Sequence, residues 1–159
     1  MLLWYLCMSV VLVHVVFRSS GIDYRLVGLG ALLPLVVDAP LRRLAYGHSL
    51  LVGIALLTVV MLGTVGRSRL LRRRLLCLPI GYLCGLVLSG AWVAAHVFWW
   101  PFLGALPDEP LLAPFAVVAL EEAAGLAASA FAVSRFGLGG RAARSVFLRT
   151  GRLREVARR

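Results

Sequence analysis

Between Ser49 and Gly66 the chain runs for 18 residues without a charge, SLLVGIALLTVVMLGTVG, and then places five arginines in the eight positions 67–74. An apolar run of that length suits the hydrocarbon core of a bilayer as a helix, because a helix satisfies its own backbone polar groups. An arginine block at its end assigns that end to the cytoplasmic side. The same alternation recurs along the chain and limits the fold to an all-α integral membrane bundle. Composition agrees: 61% of the 159 residues are apolar and only 15% are charged, far from a soluble domain. All 17 basic residues are arginine, and thirteen lie in two blocks, 67–74 and 135–159, each directly after an apolar run. The formal charge of +10 is therefore read as the positive excess of cytoplasmic loops, with the lipid bilayer and anionic headgroups as partners and no nucleic acid.

The remaining segments follow from the same pattern. MLLWYLCMSVVLVHVVF (Met1–Phe17) lacks a basic start and is followed by no small-residue cleavage site, so it reads as a retained helix. The run Val27–Val37 has 11 residues and is flanked or interrupted by Pro34 and Pro40, which suits a short tilted or re-entrant piece. Leu75–Trp100 is long enough to cross with tilt and ends in an aromatic belt of Phe98, Trp99, Trp100 and Phe102 around Pro101. After the acidic loop LGALPDEP, Leu111–Leu138 returns to the cytoplasm. The expectation is four transmembrane helices plus one short or re-entrant apolar segment. Residues 1–138 form the transmembrane domain and 139–159 an arginine-rich cytoplasmic tail, in the cytoplasmic membrane of a bacterium. In the tail, Val146, Thr150, Leu153 and Ala157 share one face suited to the inner leaflet. Cys7, Cys77 and Cys84 all fall in apolar runs, an odd number without CxxC spacing, and imply neither a disulfide framework nor a zinc knuckle.

Polar residues inside apolar runs are the functional candidates. With both arginine blocks cytoplasmic, Asp38 and His48 fall on the other side, and Arg42 and Arg43 suggest a segment folded inward onto protein or lipid phosphate. His96 lies about 21 residues into a span that begins inside, so roughly 30 Å along it and back at the outer level. Asp38, His48 and His96 then share one layer and form a ligand set for a divalent ion such as zinc; the alternative is ordinary interfacial histidines. His14 reads as a packed or interfacial residue. Glu121 and Glu122 lie on the order of 15 Å deep in the last span, where a carboxylate must be paired, hydrated or protonated. They are either ligand or proton-handling groups, hence candidate catalytic residues, or structural carboxylates bonded to Tyr82, Ser89 or Trp92.

The blocks GALLPLVVDAP, YGHSLL, LPIGYLCGLVLSGAW and VFWWPF, in that order over residues 20–105, resemble the YdjM-type family of membrane-bound metal-dependent hydrolases. The resemblance implies a Leu-Pro-Asp turn with a second acid, a His-Ser/Thr head on a span, and a glycine-led helix carrying a histidine and an aspartate four residues apart. Asp38 matches the second acid and His48 with Ser49 the head, while Leu35, Gly85 and Ser89 stand where the first acid, the histidine and the aspartate are expected. Three of the five polar positions are thus replaced. The resemblance implies a multi-pass membrane protein with a degenerate metal site and reduced or no activity. The alternative is an active hydrolase of a membrane-embedded or extracytoplasmic substrate, with the site rebuilt around His96, Glu121 or Glu122. There Asp38 and His48 would hold an ion that acidifies a bound water, and a glutamate would serve as base.

Overall fold

In a computed structural model of the chain, which describes residues 1–18, 21–42, 45–105, 110 and 113–151, the regular elements are all helical. They are α1 (Leu2–Phe17), α2 (Tyr24–Asp38), α3 (Leu50–Gly63), α4 (Arg69–Leu75), α5 (Cys77–Leu88), α6 (Ala95–Phe98), α7 (Phe115–Arg135) and α8 (Arg141–Thr150). Two short 3-10 turns, Ala39–Leu41 and Tyr46–His48, join α2 to α3. Helix α2 is central, packed between α5 and α1; α3 lies against α5, and α7 against α1.

Small residues let these helices approach closely. On α5 the pair Gly81 and Gly85, four apart in GYLCG, faces the backbone of α2: a Cβ at either would overlap the carbonyl of Val27 or Ala31. Gly30 of α2 answers from the other side, against the Leu78 carbonyl. This is a small-xxx-small crossing, in which glycines let two helix backbones come into contact. Gly125 does the same for α7 against the backbone of Leu3 and Trp4. Helices α1 and α7 run in the same direction: Met1 meets Glu122 at one end and His14 stacks edge-on against Phe136, centroids 4.6 Å apart, at the other. Val13, Tyr24, Val27, Cys77 and Phe136 form the buried apolar core beside that second end.

Among the described residues two helices are long and apolar enough, by length and composition, to cross a membrane: residues 24–41, in which the first 3-10 turn extends α2, and α7 with 21 residues. The segment expected to be shortest is thus one of the longest. Asp23 caps α2 by accepting from the Arg25 N–H at 3.3 Å, so the helix starts at Tyr24, ahead of the apolar run proper, and continues through Pro34. Conversely, the clean run 49–66 gives a helix of only 14 residues. Ser49 caps its start, and the chain turns at Thr64 before Gly66 adopts a left-handed conformation.

The run 75–100, expected as one tilted span, is not one helix. Helix α5 stops after 12 residues. The Ser89 hydroxyl donates to the Leu86 carbonyl at 2.9 Å and accepts the Ala91 N–H at 3.2 Å, and Gly90 takes a φ of 68° that ends the helix. Turns and the four-residue α6 complete the run, so the depth assigned to His96 from a continuous helix does not apply. The first part of the arginine-rich segment 139–159 packs onto the bundle. Helix α8 folds back so that the Gly151 carbonyl accepts the Tyr24 N–H at 2.9 Å and the Leu148 carbonyl accepts Arg25 Nη1 at 2.5 Å. Leu153 and Ala157 lie outside the described residues.

Candidate functional site at the turn between α2 and α3

Asp38 is the last residue of α2, where the exposed carbonyls of a helix C-terminus disfavour a negative side chain. The chain then reverses through Ala39–Leu41, with Arg42 in the left-handed region, and returns through Tyr46–His48. The returning loop wraps the carboxylate. Oδ1 accepts the Gly47 N–H at 2.7 Å; Oδ2 accepts the Ala45 N–H at 2.8 Å and His48 Nδ1–H at 2.7 Å. Asp38 is fully buried and His48 is 2% exposed. Three donors on one carboxylate, two of them backbone, offset the helix-end repulsion and the loss of water. Because Nδ1 carries the shared proton, the neutral ring presents its Nε2 lone pair.

The loop is fixed from outside as well. Gly47 is required: a Cβ there would stand 2.9 Å from Asp38 Oδ1 and overlap the Pro34 carbonyl. Its own carbonyl accepts the Tyr82 hydroxyl of α5 at 2.6 Å. Ser49 accepts the Leu51 N–H at 3.2 Å as the cap of α3 and donates to the Trp100 carbonyl at 2.8 Å, beside an edge-on contact of Tyr46 with Trp100. The turn is packed by α2, α3 and α6.

The other expected site residues do not join this pair. Helix α6 reaches the turn through buried Val97, while His96 is exposed and shares a hydrogen bond between Nδ1 and the Leu103 carbonyl at 3.0 Å. Among the described residues no three His, Cys, Asp or Glu side chains gather closely enough to hold an ion. Glu121 and Glu122 sit on α7 against α1: Glu122 pairs with the Met1 amino group, and Glu121 Oε2 is buried without a hydrogen-bond partner among the described residues. The partners expected for them are engaged elsewhere, Tyr82 with Gly47 and Ser89 with its own helix end, and Trp92 is largely exposed.

Two of the positions where the resemblance expects ligands serve packing and helix termination. A Cβ at Gly85 would overlap the Ala31 carbonyl oxygen and come within 3.0 Å of the Ala31 Cα, so no ligand-bearing side chain fits there at this helix separation. Ser89 terminates α5. The sequence signal for the first is the small-xxx-small spacing in GYLCG, which marks a packing glycine. The Tyr82–Gly47 bond had no sequence signal, because it joins residues on separate elements.

At the other end of α2 stands a carboxylate that spacing did not single out. Asp23 accepts from Arg25 Nε at 3.1 Å, Arg25 Nη2 at 3.0 Å and Arg74 Nε at 2.7 Å, and its N–H donates to Cys77 Sγ at 3.4 Å. Burial pushes its carboxyl up, but the hydrogen bonds and charge of the two guanidiniums outweigh that and hold it below the usual carboxylate value.

Compared with known proteins, the chain matches no family model, no curated protein and no solved structure. The fold and the site by themselves define an all-helical, strongly apolar bundle whose buried Asp–His pair closes a turn between two helices.

Proposed function

We propose that this chain is a multi-span protein of a bacterial cytoplasmic membrane, in which the ligand positions of a hydrolase-like ancestor now serve packing and turn closure. On this reading it acts as a membrane scaffold or interaction subunit without metal-dependent turnover. The observation that carries it is the state of Asp38, both of whose oxygens are engaged by the chain's own donors; Gly85, where the resemblance expects a histidine, lies against the Ala31 backbone and leaves no room for a side chain. The depth of the turn supports it. Helix α2 has 15 residues, so Asp38 lies about 22 Å from the arginine-bearing end, short of a full apolar layer of about 30 Å. Polar groups at that level must be satisfied by protein.

Helices α1, α2, α3 and α7 are four of the spans on this reading, and α5, at 12 residues or about 18 Å, completes a fifth crossing together with the turns and α6 that follow it. Both arginine blocks face the cytoplasm. In favour of a shared side, Arg74 and Arg25 meet at Asp23, and the start of α2 contacts the end of α8. The competing reading, an active hydrolase, rests on the Nε2 of His48, which the Asp38 carboxylate orients as it would a metal-bound or basic imidazole.

Metal content of the purified full-length protein, before and after exposure to zinc, separates the two readings. The scaffold reading expects no stoichiometric ion. An equivalent of metal that is lost in both Asp38→Ala and His48→Ala would overturn it. Reporter fusions after residue 74 and at the carboxyl end are expected on the same side of the membrane.

A further inference from the structure

Between the start of α2, helix α4 and the end of α8 lies a cavity of about 410 Å³, bordered by Gly21, Asp23, Arg73, Arg74, Arg149 and Thr150. Its volume is that of a small-molecule pocket. Three arginines reach it from two elements far apart in sequence, α4 and α8, and the α1–α2 connection closes it. Among the described residues that line it the one carboxylate, Asp23, is already matched by Arg25 and Arg74. Arg73 and Arg149 make no ion pair among the described residues. Gly21 has a further role, since a Cβ there would overlap the Arg73 guanidinium, so the absence of a side chain lets that group lie against the loop. Docking of α8 onto α2, through Gly151 with Tyr24 and Leu148 with Arg25, is what brings Arg149 to the same cavity as Arg73.

We propose that this cavity is a binding site for a phosphate group, held by Arg73 and Arg149 with the Thr150 side of α8 closing it. Guanidinium forks match the spacing of phosphate oxygens and bind them bidentately, which a diffuse basic surface does not do. Ile22 and Leu70 give the cavity an apolar wall as well, which accommodates the carbon skeleton of a phosphate ester. The phosphate belongs either to an anionic lipid headgroup or to a small soluble phosphate. This inference does not depend on whether Asp38 and His48 bind metal.

The test uses the full-length protein in a non-ionic detergent, titrated separately with inorganic pyrophosphate and with a short-chain phosphatidic acid. Native mass spectrometry counts bound ligand and calorimetry gives affinity. Saturable binding of one equivalent is expected, weakened about tenfold by Arg73→Gln and by Arg149→Gln, as loss of one charge-assisted contact implies. Arg67→Gln and Arg141→Gln, exposed arginines outside the cavity, serve as controls and are expected to change little. Binding of the lipid alone assigns the site to a headgroup; competition by pyrophosphate assigns it to a soluble phosphate. Non-saturable uptake, or equal losses in all four variants, would overturn the proposal. Metal content of the same samples reads the Asp38–His48 site independently.

Discussion

Asp23 and Asp38 bracket one helix, the first as its cap and the second as its last residue, and the two ends treat the same side chain in opposite ways. Asp23 sits at the N-terminus, where the helix dipole favours a negative charge, and its partners are guanidiniums, that of Arg74 half exposed. Asp38 sits at the C-terminus, where the dipole opposes it, and it is fully buried among two backbone amides and an imidazole. The first end is open, charged and beside a cavity; the second is closed and has used up its hydrogen-bonding capacity. A carboxylate in an apolar chain is therefore not by itself a mark of chemistry. What its oxygens are already doing decides whether it is available.

Four perturbations test that contrast, in falling order of size. Gly85→His, which introduces the histidine that the resemblance expects at this position of α5, is expected to cost about 3 kcal/mol through backbone overlap at Ala31. Unfolding in a detergent–denaturant series measures it; a stable variant that gains zinc binding would show the site to be recoverable. Asp38→Ala is next, at about 3 kcal/mol, because it strands two buried N–H groups and an imidazole. Asp23→Ala should cost less, about 1 to 2 kcal/mol, since its partners reach solvent. Its cost should shrink in 1 M salt while that of Asp38→Ala does not. A larger or salt-insensitive effect at Asp23 would erase the distinction. Ser49→Ala, which loses the cap of α3 and the tie to Trp100, is expected to cost about 1 kcal/mol.

The pH dependence of the open end has a definite sign. The folded Asp23 carboxyl titrates below its ordinary value near 3.8, so the unfolded chain takes up that proton first as pH falls. Its contribution is complete at neutral pH and is lost as the pH drops through the ordinary value and then the lowered one. Amide exchange at Tyr24, whose N–H is held by Gly151, should therefore accelerate below about pH 4 more than exchange at Gly47. Asp23→Asn should remove that difference.

Much of this was legible in residue order and some was not. Helical class follows from long apolar runs, because period and length do not depend on tertiary contacts. The residue order suggests Asp38, His48 and His96 as ligands in one layer; it carries no signal for the direct bond between the Asp38 carboxylate and the His48 ring. Helix ends were misjudged where a polar residue acts on the backbone: Asp23 lengthens α2 at its start, and Ser89 with Gly90 cuts α5 short inside an unbroken apolar run. Hydropathy reads all of Leu75–Trp100 as one segment because serine and glycine barely change it. The docking of α8 was invisible for a different reason, since it depends on a carbonyl at Leu148 and a left-handed Gly151, neither of which has a side-chain signature.

The central claim is that Asp38 holds the His48 ring as part of a closed turn and is not a ligand waiting for an ion. Nitrogen-15 NMR of the histidine rings in the full-length protein, recorded with and without zinc, tests it most directly. The account predicts a His48 ring protonated on Nδ1, with shifts that do not respond to a stoichiometric amount of zinc. A zinc-dependent shift at His48 Nε2 that disappears in Asp38→Ala would contradict it.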